Sequence, residues 1–338
     1  MLRYTGLQSQ DTIKEASFYE KEKDGVRCLL CPHRCFIPEG KEGICKARFN
    51  KGGVLYTKIY GAVSSIAMDP IEKKPLYHFH PGSGILSIGT IFCNFSCRFC
   101  QNWQLVEAKV DVEYISPEQI VELALRHKSI GIAYTYSEPI IWYEYVRDTA
   151  ILAKERGLKN VLVTNGFIEE EPLKELLPYI DAMNIDLKYF DDQTYRRLSG
   201  GRLKPVLKTI EIASQQTHIE VTNLVITGVN DQQEMFAKLV DWLSNISRDI
   251  PLHLSRYFPM YKFSNPPTPF DTLRRFYEIA SKKLNYVYVG NILWEEGEST
   301  YCKGCKKPII VRDGYFIKEY HLKGDRCEFC NAQNNIVV

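Results

Sequence analysis

The stretch GILSIGTIFCNFSCRFCQNW, residues 84–103, combines a strand pattern with three closely spaced cysteines. Residues 85–91 form a short apolar and β-branched run, which is the composition of a buried strand. Cys93 follows that run almost at once, and Cys97 and Cys100 complete the spacing C-x3-C-x2-C. We therefore expect a cysteine-bearing loop directly after the first strand of a sheet.

Downstream of this stretch, strand patterns alternate regularly with helical patterns. The further strand candidates are 130–135, 159–164, 182–187, 219–226, 251–257 and 286–290. The helix candidates are 116–128, 139–156, 169–178, 202–216, 231–247 and 269–284. Repeated strand–helix units imply a parallel sheet, so the predicted fold class is α/β, a partial or complete (β/α) TIM-like barrel. A doubly wound sheet is the alternative, but no G-x-G-x-x-G follows the first strand.

Two cysteine-rich segments flank the strand–helix repeat. They carry Cys28, Cys31, Cys35 and Cys45 on the N-terminal side and Cys302, Cys305, Cys327 and Cys330 on the C-terminal side. We expect an N-terminal Cys-rich segment at 1–60, the barrel at 61–295 and a zinc-ribbon-like module at 296–338. Residues 1–27 look like a polar helical start.

The bulk composition argues for an intracellular protein without a membrane or nucleic-acid partner. Lys plus Arg is 43 and Asp plus Glu is 41, so no charge excess points to RNA, DNA or an anionic surface. The N-terminus MLRYTGLQSQD lacks the apolar core of a signal peptide, and no apolar run approaches the ~20 residues that span a bilayer. We expect a cytoplasmic protein, in which clustered cysteines bind metal rather than form disulfides.

The central cysteines offer three thiolates where an iron–sulfur cube normally takes four. Three ligands leave one iron without a protein ligand. A free coordination position is typical of a catalytic rather than a structural metal site. Phe92, Phe95 and Phe99 interleave with the thiols and can shield a cluster from water. The alternative is a structural zinc site completed by a histidine, but the nearest, His78 and His80, precede the strand.

This loop after the first strand of a (β/α) repeat resembles the radical S-adenosylmethionine (SAM) superfamily. The resemblance covers residues 25–338. Within the superfamily, the sequence is most similar to the pyruvate formate-lyase-activating enzymes. More narrowly it is similar to the AmmeMemoRadiSam-system branch, with its N-terminal Cys, CQN and C-terminal Cys features. The resemblance implies that Cys93, Cys97 and Cys100 hold a catalytic [4Fe-4S] cluster. It also implies cleavage of SAM to methionine and a 5′-deoxyadenosyl radical that abstracts hydrogen.

The resemblance also suggests SAM contacts in the cysteine loop and after the second and third strands. Phe99 offers a ring to the adenine, and Glu138 stands in Tyr136-Ser137-Glu138-Pro139, where the family usually has Gly-Gly-Glu-Pro. Thr164 and Asn165 belong to a T-N-G turn like the one near the SAM ribose and carboxylate. The alternatives, in which these residues have only a structural role, are a helix start at Glu138 and an ordinary Asn-Gly turn.

Two later strands carry the remaining implied contacts. Asp186 and Lys188 lie in a D-L-K segment, where Lys188 could pair with the SAM carboxylate and Asp186 could position it. Ile226 begins I-T-G-V-N-D, which is similar to the family's adenine-contacting I-P-G-V-N-D; the alternative is a turn before a helix capped by Asp231. The loop 258–270 should overhang the active face. His253, a lone strand histidine, is expected to be a satisfied core group.

The flanking cysteine groups predict two further metal sites. Two C-x2-C knuckles separated by 21 residues indicate a zinc ribbon near the C-terminus. The N-terminal spacing C-x2-C-x3-C-x9-C also offers four thiols, for zinc or for an auxiliary iron–sulfur cluster. Cys28, Cys31, Cys35, Cys45, Cys302, Cys305, Cys327 and Cys330 are thus all candidate metal ligands.

The function implied by the resemblance is that of a radical SAM oxidoreductase. Its substrate would be a protein glycine, as in glycyl-radical-enzyme activation, and its electron donor a flavodoxin or ferredoxin. A radical SAM enzyme that modifies RNA or a small molecule is an alternative, although the balanced charge speaks against RNA. A non-catalytic zinc-binding adaptor, with all three cysteine groups structural, is the alternative from another class.

Overall fold

The computed structural model describes residues 12–338, and the chain before the central sheet consists of short antiparallel strands. They are β1 (Lys14–Glu15), β2 (Tyr19–Glu22), β3 (Gly25–Cys28), β4 (Phe36–Pro38), β5 (Arg48–Lys51), β6 (Val54–Thr57) and β7 (Ala62–Val63). The helix expected over 1–27 is therefore wrong for residues 12–27. In β3, Val26 and Cys28 are buried while Gly25 and Arg27 are half-buried, and this period of two is that of a strand.

Residues 1–11, on which the expectation of no signal peptide rests, lie outside the described residues. Within residues 12–338, no helix combines the length and apolar character that crossing a bilayer requires.

An eight-stranded sheet forms the centre of the molecule and confirms the α/β expectation. Its strands are β8 (Ser65–Pro70), β9 (Gly84–Gly89), β11 (Gly131–Thr135), β12 (Lys159–Thr164), β13 (Ala182–Asp186), β14 (His218–Val225), β15 (Leu252–Arg256) and β16 (Val287–Gly290); β10 (Glu113–Tyr114) pairs with β7. The strands β9 and β11 to β16 are parallel and lie side by side in chain order, while β8 pairs antiparallel with β9 at one edge. Among the described residues no ladder joins β8 to β16, so the barrel is partial.

Helices follow the parallel strands as crossovers. They are α1 (Trp103–Val106), α2 (Pro117–Arg126), α3 (Tyr143–Glu155), α4 (Glu170–Leu176), α5 (Asp192–Ser199), α6 (Leu203–Ala213), α7 (Gln233–Ile246), α8 (Phe270–Ser281) and α9 (Glu295–Glu298). Ser116 caps α2 in a capping box with Gln119. The suggested cap at Asp231 is wrong, because α7 begins at Gln233 and Asp231 instead accepts the Gly228 N–H (2.9 Å).

The amino-terminal side of the sheet is closed by residues 71–80 through a buried carboxylate. Glu220 of β14 accepts the backbone N–H groups of Tyr77 (3.0 Å) and His78 (2.7 Å), and hydrogen bonds to His218 and His253. Burial opposes ionisation, but the histidines hold the pKa of Glu220 well below its usual range. His253 is therefore a satisfied core group, as expected.

The C-terminal module contacts residues 71–80, the segment that closes the amino-terminal side of the sheet. It contains β17 (Thr300–Tyr301), β18 (Pro308–Asp313), β19 (Phe316–Tyr320), β20 (Leu322–Lys323) and β21 (Arg326–Cys327). The fully buried Arg312 donates to the Tyr77 carbonyl (2.8 Å) and pairs with Glu72 (3.5 Å). Because the guanidinium of Arg312 is buried and paired with Glu72, the position of Arg312 relative to the barrel is tightly constrained. The boundaries 60/61 and 295/296 stay predictions.

Candidate functional site

A cavity of about 250 Å³ opens at the carboxyl ends of the parallel strands. The residues around it come from the cysteine loop and from the ends of β11 to β15. Among the candidate site residues inferred from the sequence, the following line it: Cys93, Phe95, Cys97, Phe99, Cys100, Glu138, Thr164, Asn165, Asp186 and Lys188. Parallel pairing places these chain segments at one edge, which is where (β/α) barrels carry their chemistry.

The cysteine loop surrounds its thiols with hydrogen-bonding groups. The Phe95 N–H donates to Cys93 Sγ (3.3 Å), and Asn165 Nδ2 lies 3.8 Å from the same sulfur. The Cys97 thiol donates to Ser199 Oγ (3.2 Å). Hydrogen bonds to the ligand sulfurs are one of the means by which proteins tune iron–sulfur clusters. The donor set therefore fits a cluster held by three thiolates.

Burial keeps these thiols protonated in the absence of metal. It raises the pKa of Cys93 and Cys97, and it raises that of Cys100 to about 11. A thiol of this kind is a poor free nucleophile and becomes a thiolate when a metal displaces its proton. The loop thus suits metal ligation better than nucleophilic catalysis.

Glu138 joins the end of β11 to the T-N-G turn after β12. Its carboxylate accepts hydrogen bonds from Thr164 Oγ1 (2.6 Å), from the Asn165 N–H (2.9 Å) and from the Ile140 N–H (3.0 Å). Burial raises the pKa of Glu138 to about 7 in spite of these hydrogen bonds. The side chain faces the cavity and would gain from a cationic partner there.

The two residues before Glu138 hold a backbone conformation that glycine favours. Tyr136 has φ 45° and Ser137 has φ 84°. The Tyr136 hydroxyl donates to Asp69 Oδ2 (2.6 Å), which helps to hold this turn. Ser137 Oγ is buried, lines the cavity and has no hydrogen-bond partner among the described residues. The backbone shape expected of Gly-Gly is therefore present, and an unused polar atom faces the space that a ligand would fill.

An ion pair lies across the cavity at the end of β13. Lys188 Nζ is 2.6 Å from Asp186 Oδ2, and the Lys188 N–H donates to the Tyr195 hydroxyl. Burial disfavours the ammonium, but Asp186 and the nearby Cys97 raise the pKa of Lys188 well above its usual value. Lys188 is therefore a fixed positive charge near the thiols, suited to a carboxylate ligand.

Ile226 does not join this group. It is buried (1% exposed), and its N–H donates to Asn230 Oδ1 (2.6 Å). Because it does not line the cavity, the suggested adenine contact has no support from its side-chain position and stays a prediction.

The structure also brings in residues that we did not infer from the sequence. Thr222, Leu224 and Ser255 line the cavity, and Ser199 contacts Cys97. Alternation along β14 places Thr222 and Leu224 on the same face as the buried Glu220, so period-two reading could have found them. Nothing near Ser199 in the sequence signals its contact, because Ser199 and Cys97 are 102 positions apart.

The N-terminal segment braces the cysteine loop from outside. His33 Nε2 donates to the Asn94 carbonyl (2.7 Å), next to Cys93. The Glu169 N–H donates to the Leu30 carbonyl (3.1 Å), and Arg34 pairs with Glu169 (2.7 Å). Folding of this segment therefore bears directly on the position of the cluster loop.

The four N-terminal thiols lie close enough to influence one another. Burial first, and then the neighbouring Cys28, Cys45 and Cys35, raise the pKa of Cys31 well above its usual value. A bound cation would relieve this repulsion between thiolates. Which metal they bind stays a prediction.

The C-terminal thiols have the spacing of a tetrahedral zinc site. Cys302 and Cys330 have sulfurs 3.6 Å apart, Cys305 and Cys327 have sulfurs 3.8 Å apart, and all four sulfurs lie within 4.8 Å of one another. Zinc–sulfur bonds of ~2.3 Å in a tetrahedron separate the sulfurs by about 3.8 Å. Burial opposes the Cys302 thiolate, but the N–H groups of Cys305 and Gly304 and the neighbouring thiols lower its pKa to about 6. The donor set fits zinc.

The left-handed backbone at Ser137 has a measurable consequence. Changing Ser137 to Gly should leave the protein more stable than changing it to Ala, by about 1 kcal/mol, because only glycine adopts this φ without strain. Chemical denaturation of both variants measures the difference. In the helical control Ser244, the Ala variant should be the more stable one. An Ala variant that is more stable at both positions contradicts the strained turn.

Comparison with known proteins agrees with this geometry. A family model described as the radical SAM superfamily matches residues 87–243. The chain is 43% identical to an uncharacterized protein of Methanocaldococcus jannaschii, over 96% of this chain and 100% of that one. It is 26% identical to the pyruvate formate-lyase 1-activating enzyme of Escherichia coli (strain K12), over 54% of this chain and 77% of that enzyme.

A solved structure shows the same fold. The crystal structure of Streptococcus suis SuiB bound to S-adenosylmethionine has 17% identity and a TM-score of 0.50, covering 61% of this chain and 52% of that chain. With the family match, the relatives and the cysteine loop in agreement, the chain belongs to the radical SAM superfamily and is similar to the pyruvate formate-lyase-activating enzymes.

Proposed function

We propose that this protein binds a [4Fe-4S] cluster at Cys93, Cys97 and Cys100 and cleaves SAM reductively to methionine and a 5′-deoxyadenosyl radical. The observation that carries the proposal is that the three thiols, Glu138 and Lys188 all line the cavity at the strand ends. Groups of opposite charge lie near the thiols, as a ligand with both an amine and a carboxylate requires. The reaction class is oxidoreductive hydrogen abstraction.

When bound, the cluster would supply the electron and the open coordination position. The chain's own residues orient the ligand. Lys188 would meet the carboxylate, ionised Glu138 and Ser137 Oγ would face the amine or ribose, and Phe99 would cover the adenine. Phe95 and Phe99 are buried (4% exposed each) and limit water around the thiols, which protects a radical from side reactions.

The substrate we propose is a protein glycine. Support comes from the names of two relatives, the pyruvate formate-lyase 1-activating enzyme and the 4-hydroxyphenylacetate decarboxylase activating enzyme, the latter 23% identical over 35% of this chain. RNA or a small molecule remains the alternative substrate. We further propose a cytoplasmic location, zinc at the C-terminal cysteines, zinc or an auxiliary iron–sulfur cluster at the N-terminal ones, and domains at 1–60, 61–295 and 296–338.

The decisive measurement is 5′-deoxyadenosine formation after anaerobic reconstitution with iron and sulfide. Reduced with dithionite in the presence of SAM, the protein should release 5′-deoxyadenosine. The triple variant Cys93→Ala/Cys97→Ala/Cys100→Ala should release none, because no cluster can bind. Ser96→Ala, an exposed change within the same loop, is the matched control and should stay active. Equal amounts of 5′-deoxyadenosine from the triple variant and the control would contradict the proposal. If the intact protein binds only zinc, the non-catalytic zinc-binding adaptor is favoured instead.

Affinity for SAM should depend on the ionisation of Glu138. Only the carboxylate attracts an ammonium group, and with a pKa of about 7 it is mostly ionised at pH 8 and mostly protonated at pH 6. SAM should therefore bind about 10-fold more weakly at pH 6 than at pH 8. Calorimetric titration of the reconstituted protein measures this.

The controls for that titration are two carboxylate-to-amide changes. Glu138→Gln should bind SAM weakly with little pH dependence, whereas Glu171→Gln, exposed on α4, should behave as wild type. An unchanged pH profile in Glu138→Gln would show that another group titrates.

The C-terminal cysteines should account for one zinc ion per chain. Cys302→Ser/Cys327→Ser should lose that zinc while keeping the visible absorbance of the reconstituted cluster, because the two sites use separate ligands. It should also unfold at a lower temperature, since the module carrying Arg312 is fastened to the barrel. Elemental analysis and thermal denaturation give the readouts, with the central triple variant as the control that keeps its zinc. Full zinc content in the double variant would refute the assignment.

A further inference from the structure

A second cavity, of about 340 Å³, lies on the outer side of the cysteine loop. Cys93, Cys97 and Cys100 line this cavity as well as the one at the strand ends. Its other walls come from the N-terminal segment around Lys46 and from the loop 258–270. A group held by the three thiols can therefore be approached from two sides, of which the ligand contacts inferred above use only one.

The rim of the second cavity is positively charged. Lys46, Arg98 and Lys262 line it and are exposed, and Glu107 is the one carboxylate among its lining residues. Within residues 12–338, neither Lys46 nor Arg98 forms an ion pair, while Glu107 is engaged by Lys109 (2.5 Å) and Lys262 (3.9 Å). Since the whole chain carries a net charge of only +2, this concentration of positive charge is local.

An apolar platform lies beside these cations. The rings of Trp103 and Tyr261 are stacked, with centroids 5.3 Å apart, and the Tyr261 hydroxyl donates to Glu107. Ile44 is 62% exposed, and Met260, next to Tyr261, is 40% exposed. A rigid aromatic centre with a charged rim is the usual composition of a specific protein–protein interface.

We propose that this surface docks an acidic one-electron carrier protein. We call it the basic face and define it by Ile44, Lys46, Arg98, Trp103, Tyr261 and Lys262. The proposal rests on the proposed function, which consumes one electron per SAM cleaved. In the transfer the carrier loses one electron and the cluster gains it, with no bond formed or broken.

Charge and position together favour this occupant over others. Positive charge around the cavity steers a negative partner and sets its orientation. The cavity walls include the ligand thiols themselves, so a docked carrier would lie next to the group it reduces. A polynucleotide would need a longer track of cations to neutralise its phosphates than the few side chains around this one cavity.

The experiment uses reduced flavodoxin, an acidic flavin protein, as the probe. Arg98→Glu/Lys262→Glu should weaken its binding at least 10-fold, whereas Lys238→Glu/Lys282→Glu, exposed on α7 and after α8, should change it less than 2-fold. Wild-type binding should weaken from ~0.01 M to ~0.15 M salt, as the screening length falls from about 30 Å to about 8 Å. Calorimetry with the reconstituted protein measures each affinity.

A rate measurement separates docking from catalysis. Formation of 5′-deoxyadenosine driven by flavodoxin should fall at least 10-fold in the Arg98/Lys262 double variant, while the dithionite-driven rate stays within 2-fold of wild type. Lys46→Glu, which lies outside the cysteine loop, should show the same pattern to a smaller degree.

The outcomes distinguish this proposal from the function on which it rests. Absence of product with dithionite would remove the proposed function, yet the affinities would still decide the docking. Equal flavodoxin affinity in the double variant and the control pair would overturn the basic face. So would single-stranded RNA that binds more tightly than flavodoxin and is lost in the same variant, because the occupant would then be a polyanion.

Discussion

Parallel pairing of neighbouring strands is the constraint on which the rest of this molecule depends. It directs the carboxyl ends of β9 and β11 to β16 to one edge of the sheet, so that segments more than 100 residues apart in the chain share one cavity. The crossovers required by parallel strands then cover the outside with helices. A site that combines thiols, a carboxylate and an ammonium arises here from topology.

Charge within the cavity follows from the same arrangement. The pKa of Lys188 is raised because Asp186 and Cys97 outweigh the effect of its burial, whereas burial raises the pKa of Glu138 to about 7. The left-handed backbone at Ser137 places another polar atom toward the same space. Strained backbone and unpaired polar groups cost stability, and both concentrate where a ligand would use them.

The two cysteine-rich appendages act on opposite ends of the barrel. The N-terminal segment contacts the cysteine loop through His33, whereas the C-terminal module holds the segment beneath β14 through Arg312. Small cysteine-rich segments bury little apolar surface, so bound metal would supply much of their stability. Cooperation between metal binding and barrel geometry is therefore expected at both ends.

Local patterns in the sequence determined the seven parallel strands of the sheet and the cysteine loop, because periodicity and ligand spacing are properties of neighbouring residues. Glu138 and Lys188 were inferred from the family resemblance. Local patterns did not predict β1 to β4 or α5, and they did not place β8 at the edge of the sheet. The contact of Ser199 with Cys97, the turn at Ser137 and the basic face were decided only by the tertiary structure. Each depends on packing between distant segments, and such packing leaves no periodic signal in the chain.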